Sequence, residues 1–375
     1  MSVKPYLITF KPFGRYYFGT SRSFAEGFYA VSQKFPTQTT ILGCLRYTLL
    51  LQNGFDSKLN PKQQDLTKFY DLTGKSKMAS LLVENDDDFG VICKISPVFI
   101  VERDKSGTIQ DFLLQLPSDV VLRGNSIQRK TFEAIFDTKN NSNKTNLNIS
   151  YKKAFSDKDY TCDNKMGGKN FWNNYSKNST SNPIEEEKIF INDKQPGLGR
   201  NENRVAEESK FYIKKDFRLR KNYSFGVIVH IDDEKIAINN TESSKKWKLH
   251  NDDAKLGGEN CWFRMKIIST EDFQFDHPII DRFFDVGDFG DFENLPVTDA
   301  NKKMVFISPL IGSGELKYQH GIVNNVYSVR IWISGSKKTD SFMSIPQGSV
   351  IYGEIKRNGF KSFRKKIGFN WAIQV

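Results

Sequence analysis

Three consecutive stretches decide the fold: Tyr6-Leu7-Ile8-Thr9-Phe10, the glycine- and ring-rich Pro12–Tyr29, and Thr37-Gln38-Thr39-Thr40-Ile41-Leu42-Gly43-Cys44-Leu45-Arg46. In that order they read as strand, loop and helix. The loop holds Gly14, Gly19 and Gly27. The helix starts near Thr39, with Thr37 or Thr39 available as N-cap. Ile41, Leu42, Leu45 and Leu49 recur at helical spacing and give it one apolar face. Arg46 lies beside that stripe, where its stem can pack while its head reaches out.

Outward from this opening, Phe89–Ile95 and Val98–Arg103 read as strands, and Phe112–Leu122 as a further apolar stretch. After Asp137 the composition turns to Asn, Lys, Ser and Asp as far as Asp193. So few apolar residues cannot offset the entropy of ordering a backbone. The segment 137–193 is therefore expected to be a long polar insertion, either a projecting arm or a surface loop. Pattern resumes at Ser224–Ile231, a strand. Ser243–Leu256 is expected as a helix ending at Gly257-Gly258. Cys261–Ile268, Met304–Leu310, Tyr327–Ser334, Ser349–Ile355 and Gly368–Val375 complete a strand-heavy second half. Strand, helix, then several strands predicts an α+β chain of two ferredoxin-like (RRM-like) domains with antiparallel sheets. The expected division is 1–210, carrying the insertion, and 211–375.

The 375 residues carry 55 Lys and Arg against 44 Asp and Glu, a net charge of +11. That excess favours a polyanionic partner, because clustered cations release counterions from phosphates. The chain is also rich in phenylalanine, 31 in all, whose rings can fill a core or stack on bases. Cys44, Cys93, Cys162 and Cys261 stand far apart with no CxxC pair, which argues against a zinc site or a disulfide framework. No cofactor or metal is expected. Ile41–Leu51, the longest apolar run, is interrupted by Arg46 and too short to span a bilayer. The expected setting is cytoplasmic, without a membrane partner.

Three segments carry a family resemblance. The first runs from Pro12-Phe13-Gly14-Arg15-Tyr16-Tyr17-Phe18-Gly19 through Glu26-Gly27 to Phe35-Pro36-Thr37 and Leu45-Arg46. The second is Leu256-Gly257-Gly258-Glu259, and the third is Ile345–Tyr352 followed by Ile367-Gly368-Phe369-Asn370. Gly199-Arg200 and Glu207–Tyr212 add a fourth, fainter echo. In this order they resemble the third-subunit family of the Cmr (type III-B) CRISPR effector complex, in the RAMP superfamily. Gln38 replaces a usual proline, and Asn260-Cys261 replaces a usual arginine pair.

The resemblance implies a non-catalytic subunit that binds the 5′ handle of the guide RNA (crRNA). It implies contacts with the large polymerase/cyclase-like subunit and the backbone subunits, target RNA being met only indirectly, in antiviral defence. It also implies a projecting hairpin that kinks the RNA, for which 137–193 is the candidate. Single-stranded RNA is held by phosphate contacts and base stacking. Gly14, Gly19, Gly257 and Gly258 suit close approach to phosphate, although ending the preceding helix is an equal role for Gly257. Arg15, Arg22, Lys34 and Arg46 surround the loop and helix, where Thr37, Thr39 and Thr40 mark the helix start. Arg200, Arg204 and Lys210 form a second basic group. For Arg46 the alternative to RNA contact is an ordinary amphipathic helix residue.

Two rival functions are a RAMP-type guide-processing ribonuclease and a free-standing RNA-binding protein. The first needs a general base, commonly His, near the cleaved bond. His230, His250, His277 and His320 all lie outside the N-terminal loop and helix, and His277 precedes Pro278 in a turn-like context. Asp88-Phe89-Gly90 and Asp288-Phe289-Gly290 mimic a kinase motif without the catalytic loop that would accompany it.

Overall fold

In a computed structural model of the chain, the described residues are 2–19, 29–58, 65–76, 88–123, 126–129, 159–162, 164–175, 177, 181–200, 206–239, 244–258, 260–271, 276–284, 303–311, 315–317, 320–323, 327–329, 332–333, 337–338, 342–352, 356–358 and 366–375. They form mostly antiparallel sheets with few helices, an α+β architecture. The chain divides into two compact units. One comprises Met1–Met78, Asp88–Gln110 and Glu187–Phe273; the other comprises Ala79–Asp87, Asp111–Glu186 and Gln274–Val375. The boundary expected near residue 210 falls inside a continuous strand, Ala206–Leu219.

The first unit contains β1 (Val3–Pro12), β2 (Tyr29–Val31), α1 (Gln38–Gln52), β3 (Ile92–Ile95) and β4 (Phe99–Arg103). These are followed by β5 (Phe190–Arg200), β6 (Ala206–Leu219), β7 (Tyr223–Asp232), β8 (Ile236–Ile238), β9 (Trp247–Leu249), β10 (Asp252–Lys255) and β11 (Trp262–Ser269). β1 is central. It pairs antiparallel with β7 along Val3↔Asp232 to Phe10↔Phe225, and with β11 along Tyr6↔Ser269 to Pro12↔Phe263. β7 also pairs with β3 and β4, and β11 with β10. All ten residues of β7 are buried, and its stretch from Phe225 to Val229 has no polar side chain where a one-sided strand would alternate. β11 does alternate: Phe263, Met265 and Ile267 are buried while Trp262, Arg264 and Lys266 are exposed.

β1, α1 and β4 form a split β-α-β unit, because β7 lies between the two strands. Helix α1 begins at Gln38 and is capped by Thr37, and it buries Ile41, Leu42, Cys44, Leu45 and Leu49. Between β7 and β11, where a second helix was expected over Ser243–Leu256, the chain instead forms β9 and β10. The reason is periodicity. Trp247 and Leu249 are buried with Lys248 exposed between them, a period of two that a helix cannot accommodate.

β5 and β6 make a long antiparallel hairpin, in register from Phe190↔Leu219 to Leu198↔Phe211, with β2 alongside β6 in parallel. This hairpin, rather than a structureless polar arm, begins before Asp193. The described residues between 159 and 193 are largely built into sheets and a helix, which corrects the expected insertion; residues 137–158 lie outside the described residues.

In the second unit, helix Lys169–Tyr175 buries Phe171, Trp172 and Tyr175. Their ring centroids are 5.6–5.8 Å apart. Three rings in five residues outweigh the polar composition around them. Strand Lys165–Gly167 joins Ile184–Glu185 and Leu114–Gln115, and Val120–Arg123 pairs with Ser126–Arg129 and Asp159–Thr161. Lys303–Phe306 lies between Val350–Tyr352 and Ala372–Gln374. The carbonyl of Gly348 accepts from the backbone N–H and hydroxyl of Ser118, at 2.8 and 2.9 Å. The Asn370 side chain brackets the backbone of Ile311 at 2.7 and 3.1 Å. The tail motif is thus a set of turns that hold this unit's sheets.

Two buried polar groups in this unit give measurable expectations. Lys303, Asp119 and Tyr175 are all buried; the Lys303 ammonium donates to Asp119, and the Tyr175 hydroxyl donates to Asp119 at 2.9 Å. Removing one member strands a buried charge, so Lys303→Ala should cost about 3–5 kcal/mol of unfolding free energy in urea titration. The paired change Lys303→Met with Asp119→Leu should cost clearly less. His277 is buried, and its Nδ1 accepts the N–H groups of Ile279 and Ile280, both at 3.2 Å. Burial first of all pushes its pKa down from 6.5 to about 4. Its contribution is therefore fully present above pH 6.5 and is lost as pH falls toward 4, amounting to roughly 3 kcal/mol. The His277→Asn variant should show a flatter loss of stability between pH 6.5 and 4 than the parent chain.

Candidate nucleic-acid interface

The loop after β1 is held by one inward ring. Tyr16 is fully buried, and its hydroxyl donates to the Lys34 carbonyl at 3.0 Å. Its backbone exchanges hydrogen bonds with Phe217 of β6 at 2.8 and 3.2 Å. Phe18 is buried beside it, stacked on Phe263 with centroids 6.1 Å apart. Of the contiguous rings Tyr16, Tyr17 and Phe18, two belong to the core, leaving Tyr17 half-buried beneath the Lys214 ammonium at 4.9 Å.

Gly257 and Gly258 meet this loop. Gly257 has φ +88°, and a Cβ there would come within 2.7 Å of the Phe18 ring and 2.8 Å of the Tyr17 carbonyl. The Gly258 N–H donates to that carbonyl at 3.1 Å. The pair forms the turn between β10 and β11 and lets two backbones touch; it does not end a helix. Gly14 and Gly19 are exposed, and a Cβ at either would meet nothing closer than the Tyr17 ring, 3.8 Å from Gly19.

Arg15 is half-exposed and ion-paired with Asp193 of β5 at 3.7 Å; Arg218 of β6 shares that carboxylate at 3.3 Å. Asp193 stands directly opposite Asp216 in the hairpin, and Asp216 pairs with Lys214 at 3.1 Å. Like charges facing across a ladder repel. Three cations offset this repulsion, and one of them, Arg15, fastens the loop to the hairpin. Arg200 and Lys210 lie on β5 and β6, at positions whose side chains fall outside the described set, as do Arg22 and Arg204 altogether.

The threonines and Arg46 are spent locally. Thr37 Oγ1 accepts from the Thr40 N–H at 3.3 Å, and its hydroxyl lies 3.0 and 2.8 Å from those of Thr39 and Thr40. Arg46 turns toward the segment after α1, donating to the carbonyls of Ser76 at 2.8 Å and Gly74 at 3.1 Å. That segment is tightly crossed: Gly74 has φ +75°, and a Cβ there would lie 2.0 Å from the Asp88 carbonyl oxygen. Arg46 therefore fastens a tight crossing through at least two of its guanidinium donors.

The sequence reading missed two exposed rings. Phe13 is 57% and Trp262 45% exposed, and the Phe13 N–H donates to the Trp262 carbonyl at 3.1 Å. Arg264 lies over the Phe13 ring at 5.2 Å and Lys255 over Trp262 at 5.1 Å. Adjacent exposed rings, each beside a cation, can stack bases and neutralise phosphate together. The signal available in the sequence was the period-two alternation of Trp262, Arg264 and Lys266 along one strand.

A model of the family described as CRISPR-associated protein (Cas_Cmr3) matches residues 8–278. No curated protein matches the chain. Among solved structures, it is similar to a chain of the type III-B Cmr-beta complex bound to cognate target RNA and AMPPnP, at 14% identity and TM-score 0.44, over 98% of this chain and 96% of that one. A chain of the same complex bound to cognate target RNA gives 15% and 0.43, over 99% and 96%. A chain of a Csm3–Csm4 subcomplex of the type III-A interference complex gives 12% and 0.35, over 94% and 95%. The family match begins inside β1 and ends beyond β11, taking in the loop, both exposed rings and the hairpin. The chain belongs to the Cas_Cmr3 family of CRISPR-associated proteins.

Proposed function

We propose that the chain is a non-catalytic, RNA-binding subunit of a type III-B CRISPR effector complex, holding the 5′ handle of the guide RNA. The observation that carries this reading is the pair Phe13 and Trp262, exposed together with a cation over each ring. Family membership supplies the setting. The loop that presents Phe13 is also the one fastened to the hairpin through Arg15, so a bound strand would meet a pre-positioned surface. In this reading the large polymerase/cyclase-like subunit and the backbone subunits are neighbours, target RNA is met indirectly, and the setting is cytoplasmic. The order β11–β1–β7–β4 supports a ferredoxin-like first unit whose second helix is replaced by strands. The non-catalytic role is supported by His230 and His277, which are buried in a strand and a turn.

The test is co-expression with neighbouring genes, purification, and sequencing of the bound RNA. The expected outcome is a complex whose guides share one 5′ end. Substituting Arg15→Ala together with Phe13→Ala should weaken retention of that end by more than about tenfold, the scale of one lost stacking contact alone. A chain that comes away alone and cuts repeat RNA, with the activity lost on substitution of a histidine, would replace this reading with a processing nuclease.

A further inference from the structure

A second feature of the first unit is a crowd of cations on one sheet face. Lys11 of β1 pairs with Arg264, and Thr9 with Lys266, so Lys11, Arg264 and Lys266 share a face with Trp262. Across β1, the Arg103 N–H at the end of β4 donates to the Asn222 carbonyl at 2.8 Å, which brings Arg103 beside Lys221 in the turn entering β7. Lys11, Lys221 and Lys266 are exposed, and among the described residues none of them forms an ion pair. Partial burial lowers the Lys11 pKa first, and the positive charges of Lys221, Arg103 and Lys266 lower it further; no carboxylate among the described residues acts to raise it.

The nearby acids are engaged elsewhere. Asp253 is held by Arg264, Glu102 accepts the Tyr223 hydroxyl, and Asp104 is used within its own turn by Ser106, Thr108 and Gln110. The like charges gathered around Lys11 raise the free energy of the unbound protein, and a polyanion relieves that cost. The cations spread across four neighbouring strands about 4.8 Å apart, a span of about 14 Å. An extended strand can lay more than one phosphate along that length, and Trp262 with Lys255 stands at its edge.

We propose that this face binds a further segment of single-stranded RNA, its phosphates met by Lys11, Lys221 and Lys266 and a base stacked on Trp262. The proposal rests on the RNA-binding reading above and adds a contact outside the loop and hairpin. It is tested with the full chain and a fluorescently labelled 12-nucleotide single-stranded RNA, titrated from low to high salt. The triple variant Lys11→Ala, Lys221→Ala, Lys266→Ala should bind about a hundredfold more weakly near 0.1 M salt. The slope of log affinity against log salt should fall by about 2, near 0.7 for each phosphate contact removed. Trp262→Ala should weaken binding while leaving the slope unchanged. Thermal midpoints should match the parent, and Lys266→Ala alone, with a slope change of about 0.7, guards against misfolding of the triple variant. If the triple variant keeps parental affinity and slope while Phe13→Ala with Arg15→Ala weakens binding, this proposal falls and the RNA-binding reading stands. If it keeps RNA affinity but loses partner subunits on co-purification, the face is a protein interface and the proposal also falls. If neither the parent chain nor its complex binds RNA, both readings fail.

Discussion

The burial of Tyr16 organises the first unit. Its ring touches Phe18, Phe217, Phe225 and Phe263, which belong to the loop itself, the hairpin and the two strands flanking β1. Its hydroxyl reaches the carbonyl of Lys34, just ahead of the α1 cap. A loop of glycines and short polar residues has no reason to hold one path, because its backbone entropy opposes order. One aromatic anchor with a satisfied hydroxyl supplies that reason. The placement of Phe13 and Arg15 on one side, and of Gly257 on the other, follows from it.

The principal elements of the first unit's sheet were legible because their residues repeat with a clear period. β1, β7, β11 and α1 lie close to where apolar spacing places them, and Thr37 caps α1 as its hydroxyl predicts. The hairpin β5–β6 was not legible: Pro196, Gly197 and Gly199 interrupt β5, and charged residues occupy both strands. Its cohesion comes from backbone pairing and cross-strand charges, which leave no hydrophobic rhythm. The strands β9 and β10 were misread as a helix because a short stretch of Lys, Trp and Leu fits either period until its neighbours are known.

The cations singled out from sequence differ in where the fold puts them. Arg15 stands where its charge suggested, whereas Arg46 has the same charge and is drawn inward by two carbonyls. Sequence records a guanidinium but not which acceptors the folded chain brings near it. The exposed rings show the reverse error. Phe13 and Trp262 are indistinguishable by type from the many buried rings, and only register decides which face each occupies. The basic composition was similarly blunt: some of its cations are paired with Asp193, Asp216 and Asp119, while a few others gather around Lys11.

Both units are assembled from three separate stretches of chain, and β1 cannot acquire β11 as a neighbour until some 250 residues after it has been made. At a synthesis rate of 5–20 residues per second, that interval is roughly 10–50 s. For most of it, the apolar strand Tyr6–Phe10 lacks both lateral partners, since β7 also lies far downstream. A nascent chain in this state presents an open strand edge to whatever is near. Neither unit could be cut out by a single truncation, and the order of synthesis obliges the molecule to fold late.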